Sequence, residues 1–87
     1  MIYKVRFTSA AKRALAEELP DKVATAAWSF IMGALRENPQ RVGKQLVEPL
    51  LPLYSARRGE YRVVYRIVDE VLLIEIVAIA HRRDAYR

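Results

Sequence analysis

Eighty-seven residues, 53% apolar and 29% charged, suffice for one globular domain with a small core and are too apolar for a disordered chain. The absence of cysteine excludes disulfides and thiolate chemistry, and no apolar run approaches the roughly 20 residues of a membrane span. The opening MIYKVRF lacks the long apolar segment of a signal peptide, so the expected compartment is the cytoplasm; the net charge of +5, carried mainly by arginine, points to nucleic acid or an acidic partner.

Tyr3, Val5 and Phe7 alternate with Lys4 and Arg6, which predicts a short first strand. Thr8 or Ser9 can cap a first helix over Ser9 to Leu19 by accepting a backbone N–H bond. Pro20-Asp21 breaks that helix and starts a second. Its stripe is Val23, Ala27, Phe30, Ile31 and Ala34, widened by Leu35 and by Trp28, which this places in the core. The helix should stop near Glu37, because Asn38 precedes Pro39 and is biased out of the helical region. Two helices joined this closely form an antiparallel hairpin that can cover one face of a sheet. Residues 39–52 read as a loop with three prolines and one glycine, held to the body by Val42, Leu46, Val47, Leu50 and Leu51.

The last third reads as three strands and two tight turns. Gly59-Glu60 suits a type II′ hairpin, since glycine tolerates positive φ, and pairs Arg58 with Tyr61 and Arg57 with Arg62. Asp69-Glu70, taken as a two-residue loop, pairs Val68 with Val71. Tyr61, Val63, Tyr65 and Ile67 then lie beside Ala78, Ile76, Ile74 and Leu72 on one apolar face, because side chains alternate along a strand. The other face carries Arg57, Arg62, Arg66 and Glu75 among Val64, Val68, Leu73 and Val77. Arg66 and Glu75 read as a structural ion pair, Tyr61 and Tyr65 as core. The expected fold is α+β, one domain over 1–87 in the order β-α-α-β-β-β, with the helical hairpin on one face of a mainly antiparallel sheet. The arginine face is left open, as a docking surface for RNA or another chain.

That order of elements, the GKQL of the loop, YSARRGEYRVVYRI, an acidic turn, an apolar strand and the terminal HRRDAYR resemble the RelE/ParE toxin superfamily, on its RelE side, over essentially the whole chain. The resemblance implies a small bacterial toxin that enters the ribosomal decoding site and cleaves mRNA. The ribose 2′-OH attacks the adjacent phosphate, with no metal and no cofactor. It also implies a RelB-like antitoxin that wraps and blocks the toxin, in a complex that binds operator DNA through the antitoxin. Such cleavage needs a base, an acid and positive charge around the phosphorane.

By resemblance, Arg62 holds the scissile phosphate, to which its rigid fork is suited, and Arg57 does similar work. Arg82 is the leaving-group acid or transition-state stabiliser, and Tyr86 stacks on or orients the nucleotide. Arg58, Arg83 and Lys44 are RNA contacts. The family's best-known members carry two lysines on the strand before the turn, where Ser55 and Arg57 stand here. The general base is therefore open, and His81 is a candidate, as the only side chain with an unperturbed pKa near 6.5. Strict alternation puts His81, not Arg82, on the arginine face, so the family geometry requires a bulge or a strand end before it. The alternative is a ParE-like inhibitor of DNA gyrase without nuclease activity, although such chains generally lack the set that appears here as Arg57, Arg62, Arg82 and Tyr86.

Overall fold

β1 (Lys4–Phe7) leads into α1 (Ser9–Arg13), which runs on through a wider, π-type turn at Ala14–Glu18; α2 (Asp21–Phe30) runs on the same way through Ile31–Leu35. A single-turn α3 (Pro39–Val42) and a two-residue β2 (Lys44–Gln45) precede β3 (Tyr54–Arg58), β4 (Tyr61–Val68) and β5 (Leu73–His81). This is a computed structural model, and it describes residues 2–81; Arg82, Arg83 and Tyr86 lie outside the described residues. The sheet order is β1-β5-β4-β3-β2, with β1 parallel to β5 and the other neighbours antiparallel. The α+β arrangement is the expected one, with a short helix and a short strand added in the segment read as loop.

Thr8 is extended and caps α1: its hydroxyl accepts from the Ala11 amide at 3.2 Å and donates to the Val77 carbonyl at 2.7 Å, tying the helix start to β5. On α2 and its continuation, Val23, Ala27, Ile31 and Leu35 recur every fourth residue and are buried. With Ala11 and Ala14 they cover Tyr61, Val63, Tyr65, Ile74 and Ile76, and the alanines let the helix backbones approach the sheet closely. Trp28 departs from its expected place. One residue past Ala27, it turns about 100° off the buried stripe and stands 48% exposed, its ring stacked on Phe7 with centroids 5.6 Å apart. No helix among the described residues is long and apolar enough to cross a membrane.

The segment after α2 is held only in part as expected: Val42 packs against the core and Leu46 is half-buried. Val47 is 78% exposed and Leu50 and Leu51 are also exposed, because consecutive turns (Leu50 N–H to Val47 O, Leu53 N–H to Leu50 O, 2.9 Å each) lift the tip off the sheet. The anchor is polar and lies at the start of the segment. The fully buried Tyr65 hydroxyl donates to the Pro39 carbonyl at 2.6 Å. Burial, with Tyr54 stacked beside it, pushes that hydroxyl up to about 12, so it stays a donor at any ordinary pH. Gly43 packs directly on the same hydroxyl, where a Cβ would collide with it and lie 2.9 Å from the Ser55 carbonyl. This seat holds β2 against β3, with Lys44 opposite Ser55 and Gln45 opposite Tyr54.

Of the two turns, the one with glycine forms as read: Gly59 has φ 52, Arg58 pairs with Tyr61 and Arg57 with Arg62. The other is longer. Asp-Glu lacks the glycine that favours a two-residue hairpin turn, and the chain makes a 3₁₀ turn over Asp69–Val71, Leu72 takes φ 49, and Val68 pairs with Leu73 instead of Val71. The Tyr3 hydroxyl donates to the Asp69 carboxylate at 2.8 Å, and Gln40 donates to both at 2.9 and 3.0 Å, fastening α3 to this turn. The core face survives the change because the shift is by two residues: Ile67 pairs with Ile74 and Tyr65 with Ile76. A bulge follows, between Ile76 and Ala78 on β5, after which Val63 faces Ile79 and Tyr61 faces His81.

Candidate nucleic-acid interface

Paired residues in a ladder project to the same side, so the register lays out the uncovered face as rows across the strands. The first row is Arg57 on β3, Arg62 on β4 and Ala80 on β5. The second is Lys44 on β2, Ser55, Val64 and Ala78. The third is Arg66, Glu75 and Arg6, and the fourth Val68, Leu73 and Lys4. Rows are roughly 6.7 Å apart along the strands, and neighbours within a row roughly 4.8 Å. Among the described residues, six cations therefore share these rows with one carboxylate, Glu75.

The charges fall into two regions. In the third row Glu75 is clamped on both sides, Arg6 Nη2 to Oε2 and Arg66 Nη2 to Oε1 at 2.9 Å each. The Arg6 hydrogen bond foremost, with Arg66 adding to it, holds the Glu75 carboxyl below the usual carboxylate range although partial burial works the other way. In the first two rows Arg57 stands directly opposite Arg62, and Lys44 lies one row along with Ser55 between. Like charges directly opposite in a ladder repel, and among the described residues the ladder puts no Asp or Glu into these two rows. Two guanidinium groups and an ammonium this close together on one face raise the local positive potential, which draws anions. Planar guanidinium forks beside an ammonium can take the non-bridging oxygens of a phosphodiester.

The sequence-predicted residues divide accordingly. Arg57, Arg62 and Lys44 are brought together. Arg58 is turned to the other side of β3: its guanidinium lies 4.7 Å over the Phe30 ring and donates to the Arg57 carbonyl at 2.9 Å. His81 is also elsewhere. The β5 bulge reverses the alternation and pairs it with Tyr61, with Nε2 3.9 Å from Glu60 Oε1. Arg82, Arg83 and Tyr86 lie outside the described residues.

On the side to which Arg58 turns, a cleft of about 400 Å³ is lined by Lys22, Val23, Ala26, Arg58, Glu60 and Tyr61. The Tyr61 hydroxyl is raised by burial, with Arg58 pulling the other way, and donates to Ala26 O at 3.3 Å. The cleft mixes both charges, with Arg58 already over a ring, and suits an anion less than the open face does. Among the described residues no three His, Cys, Asp or Glu side chains gather as metal ligands would.

Two contributors to the face carry no strand signal of their own. Lys44, named above only through the resemblance, enters through β2, too short to carry a periodicity. Arg6 was accessible, since it alternates with Val5 and Phe7, but its partner Glu75 emerges only from the parallel pairing of β1 with β5.

Comparison with known proteins adds to this geometry. A family model described as the ParE toxin of type II toxin–antitoxin systems, parDE, matches residues 5–86. Among curated proteins, the toxin RelG of Mycobacterium tuberculosis is 46% identical over 87 residues, covering 100% of this chain and 99% of its own. The toxin RelE of the same organism is 48% identical over 85 residues, covering 98% of this chain and 87% of its own. Among solved structures, a chain of the M. tuberculosis RelBE2 toxin–antitoxin complex superposes with a TM-score of 0.90 at 44% identity, covering 94% of this chain and 100% of that one.

Proposed function

The chain belongs to the ParE toxin family of type II toxin–antitoxin systems, within the RelE/ParE superfamily, and on that premise we propose that it is a RelE-like endoribonuclease that cuts mRNA in the ribosomal decoding site. The observation that carries the proposal is the like-charged pair Arg57–Arg62, in register on an uncovered sheet face with Lys44 one row away.

A 2′-OH attacking the adjacent 3′-phosphate gives up its proton to water and forms the bond of a 2′,3′-cyclic phosphate; charge builds on the non-bridging oxygens as the phosphorane forms, and the bond to the 5′-oxygen breaks as that oxygen takes up a proton. Arg57 and Arg62 bind those oxygens and stabilise the added charge, which fixed donors do well because they need no reorganisation. Lys44 holds the neighbouring phosphate. Arg82 and Tyr86 complete the chemistry in this proposal, Arg82 at the leaving oxygen and Tyr86 on the nucleotide. His81 has no part in it: it pairs with Tyr61, whose side chain faces the helices.

An antitoxin of the RelB kind is the proposed inhibitor. The RelBE2 chain that this protein superposes on was solved as a toxin–antitoxin complex. The half-buried apolar residues among the cations, Val64, Val68 and Leu73, suit an amphipathic segment laid over the open face. Operator binding belongs to the complex, through the antitoxin.

Primer extension on cellular mRNA after brief induction tests the nuclease. Cuts that follow the reading frame, and disappear when translation is blocked beforehand, are the expected result. Intact mRNA accompanied by gyrase-dependent DNA damage would establish the ParE-like alternative instead.

A further inference from the structure

We infer that Glu75 is a specificity-determining residue that ends the RNA-binding track on the open face, and that the inference rests on the function proposed above. Six cations span the face, enough for an extended strand of nucleic acid, yet the two in the third row, Arg6 and Arg66, are drawn onto a carboxylate. Each oxygen of the Glu75 carboxylate takes one guanidinium nitrogen, from Arg6 on β1 and Arg66 on β4. Both arginines remain accessible, their side chains 61% and 43% exposed, so their position would let them reach a phosphate.

The carboxylate prevents this in two ways. It ties up one nitrogen of each guanidinium and holds its orientation, and its negative charge offsets part of their pull on an approaching phosphate. Arg66 lies four residues along β4 from Arg62, a separation of roughly 13 Å, so the track would otherwise continue directly from the first two rows into the third. With Glu75 in place, the protein engages the short segment of single strand over Arg57, Arg62 and Lys44, and not the length of the face. An enzyme that must read one position of a message gains from this, because every additional phosphate contact adds affinity without sequence or positional information.

The measurement is the salt dependence of binding to a short 2′-O-methylated single-stranded RNA, which cannot be cut. For single strands log K falls with log salt by about 0.7 for each phosphate neutralised. In Glu75→Gln, Arg6 and Arg66 are released, and the slope should steepen by about 1.4, with tighter binding at low salt. An unchanged or shallower slope overturns the inference. Arg6→Ala/Arg66→Ala, with Glu75 intact, gives an independent reading: the slope should equal that of the unaltered protein, and a loss of about 1.4 would mean that these arginines already bind RNA. A purely structural triad would lower thermal stability in these variants without moving the slope. Arg62→Ala in the same series should be shallower by about 0.7. If that variant shows no change, the proposed RNA face fails and Glu75 fails with it; if it responds while Glu75→Gln does not, only the role of Glu75 is lost.

Discussion

Arg62→Ala should slow cleavage of ribosome-bound mRNA by about 10²- to 10³-fold, the loss usual when one fixed donor to a developing anion is removed. The side chain lies on the uncovered face, so truncation opens no cavity under the helices, and Tyr61 and Val63 on either side keep the strand anchored in the core. Stability should hold or rise slightly, because the change relieves the opposition of Arg57 and Arg62; a gain of a few tenths of a kcal/mol is the scale for such a pair. Single-turnover cleavage and a thermal melt on the same preparation separate the two effects. Arg62→Lys keeps the charge but loses the bidentate fork, and should recover only part of the rate. A melting temperature several degrees lower in Arg62→Ala would instead make Arg62 a structural residue.

Gly43→Ala is the second large effect, here on stability. The new methyl would meet the Tyr65 hydroxyl, which cannot retreat: it is fully buried, its ring is stacked on Tyr54 with centroids 5.5 Å apart, and it donates to Pro39. The second obstacle, the Ser55 carbonyl, is backbone of the adjacent strand. Overpacking of this kind costs about 1–3 kcal/mol. The expected consequence reaches the site, because the backbone that must move carries β2, and β2 carries Lys44. Urea denaturation should show the loss, and Tyr65→Phe in the same background should restore part of it by removing the atom in the way. Gly33→Ala is the contrast. That glycine lies in the continuation of α2 with nothing within 4 Å of its added Cβ, so alanine there should stabilise by about 0.5–1 kcal/mol. Equal melts for the Gly43 and Gly33 variants would remove the seat from the picture.

The legible parts of this fold are those with a strong local signal. The β3–β4 hairpin follows from Gly59, whose tolerance of positive φ selects a two-residue turn and hence puts Arg57 opposite Arg62. The β4–β5 register does not follow from Asp69-Glu70. The turn is set by the bonds of Asp69 to Tyr3 and Gln40, residues far away in the chain, and by Leu72 accepting a left-handed backbone. The alternation rule identified the core face even so, because the slip was even, and it then misplaced His81 because a single inserted residue on β5 reverses the parity. Val47, Leu50 and Leu51 suggested packing, but an apolar side chain signals burial only where the backbone can bring it inward, and the turns there do not. Of the site, Arg57 and Arg62 were readable from pattern; Lys44 needed a strand of two residues, and the neutralising role of Glu75 needed the strand β1 placed beside β5.

The most direct test of the central claim, that the open sheet face binds the phosphodiester, is NMR of the arginine Nε–H groups during titration with a 2′-O-methylated trinucleotide RNA. The expected result is joint perturbation of Arg57 and Arg62, saturating together, with Arg58 over Phe30 and Arg13 on the helical side unmoved. Perturbation centred on Arg58 or Arg13, with Arg57 and Arg62 unchanged, would contradict it.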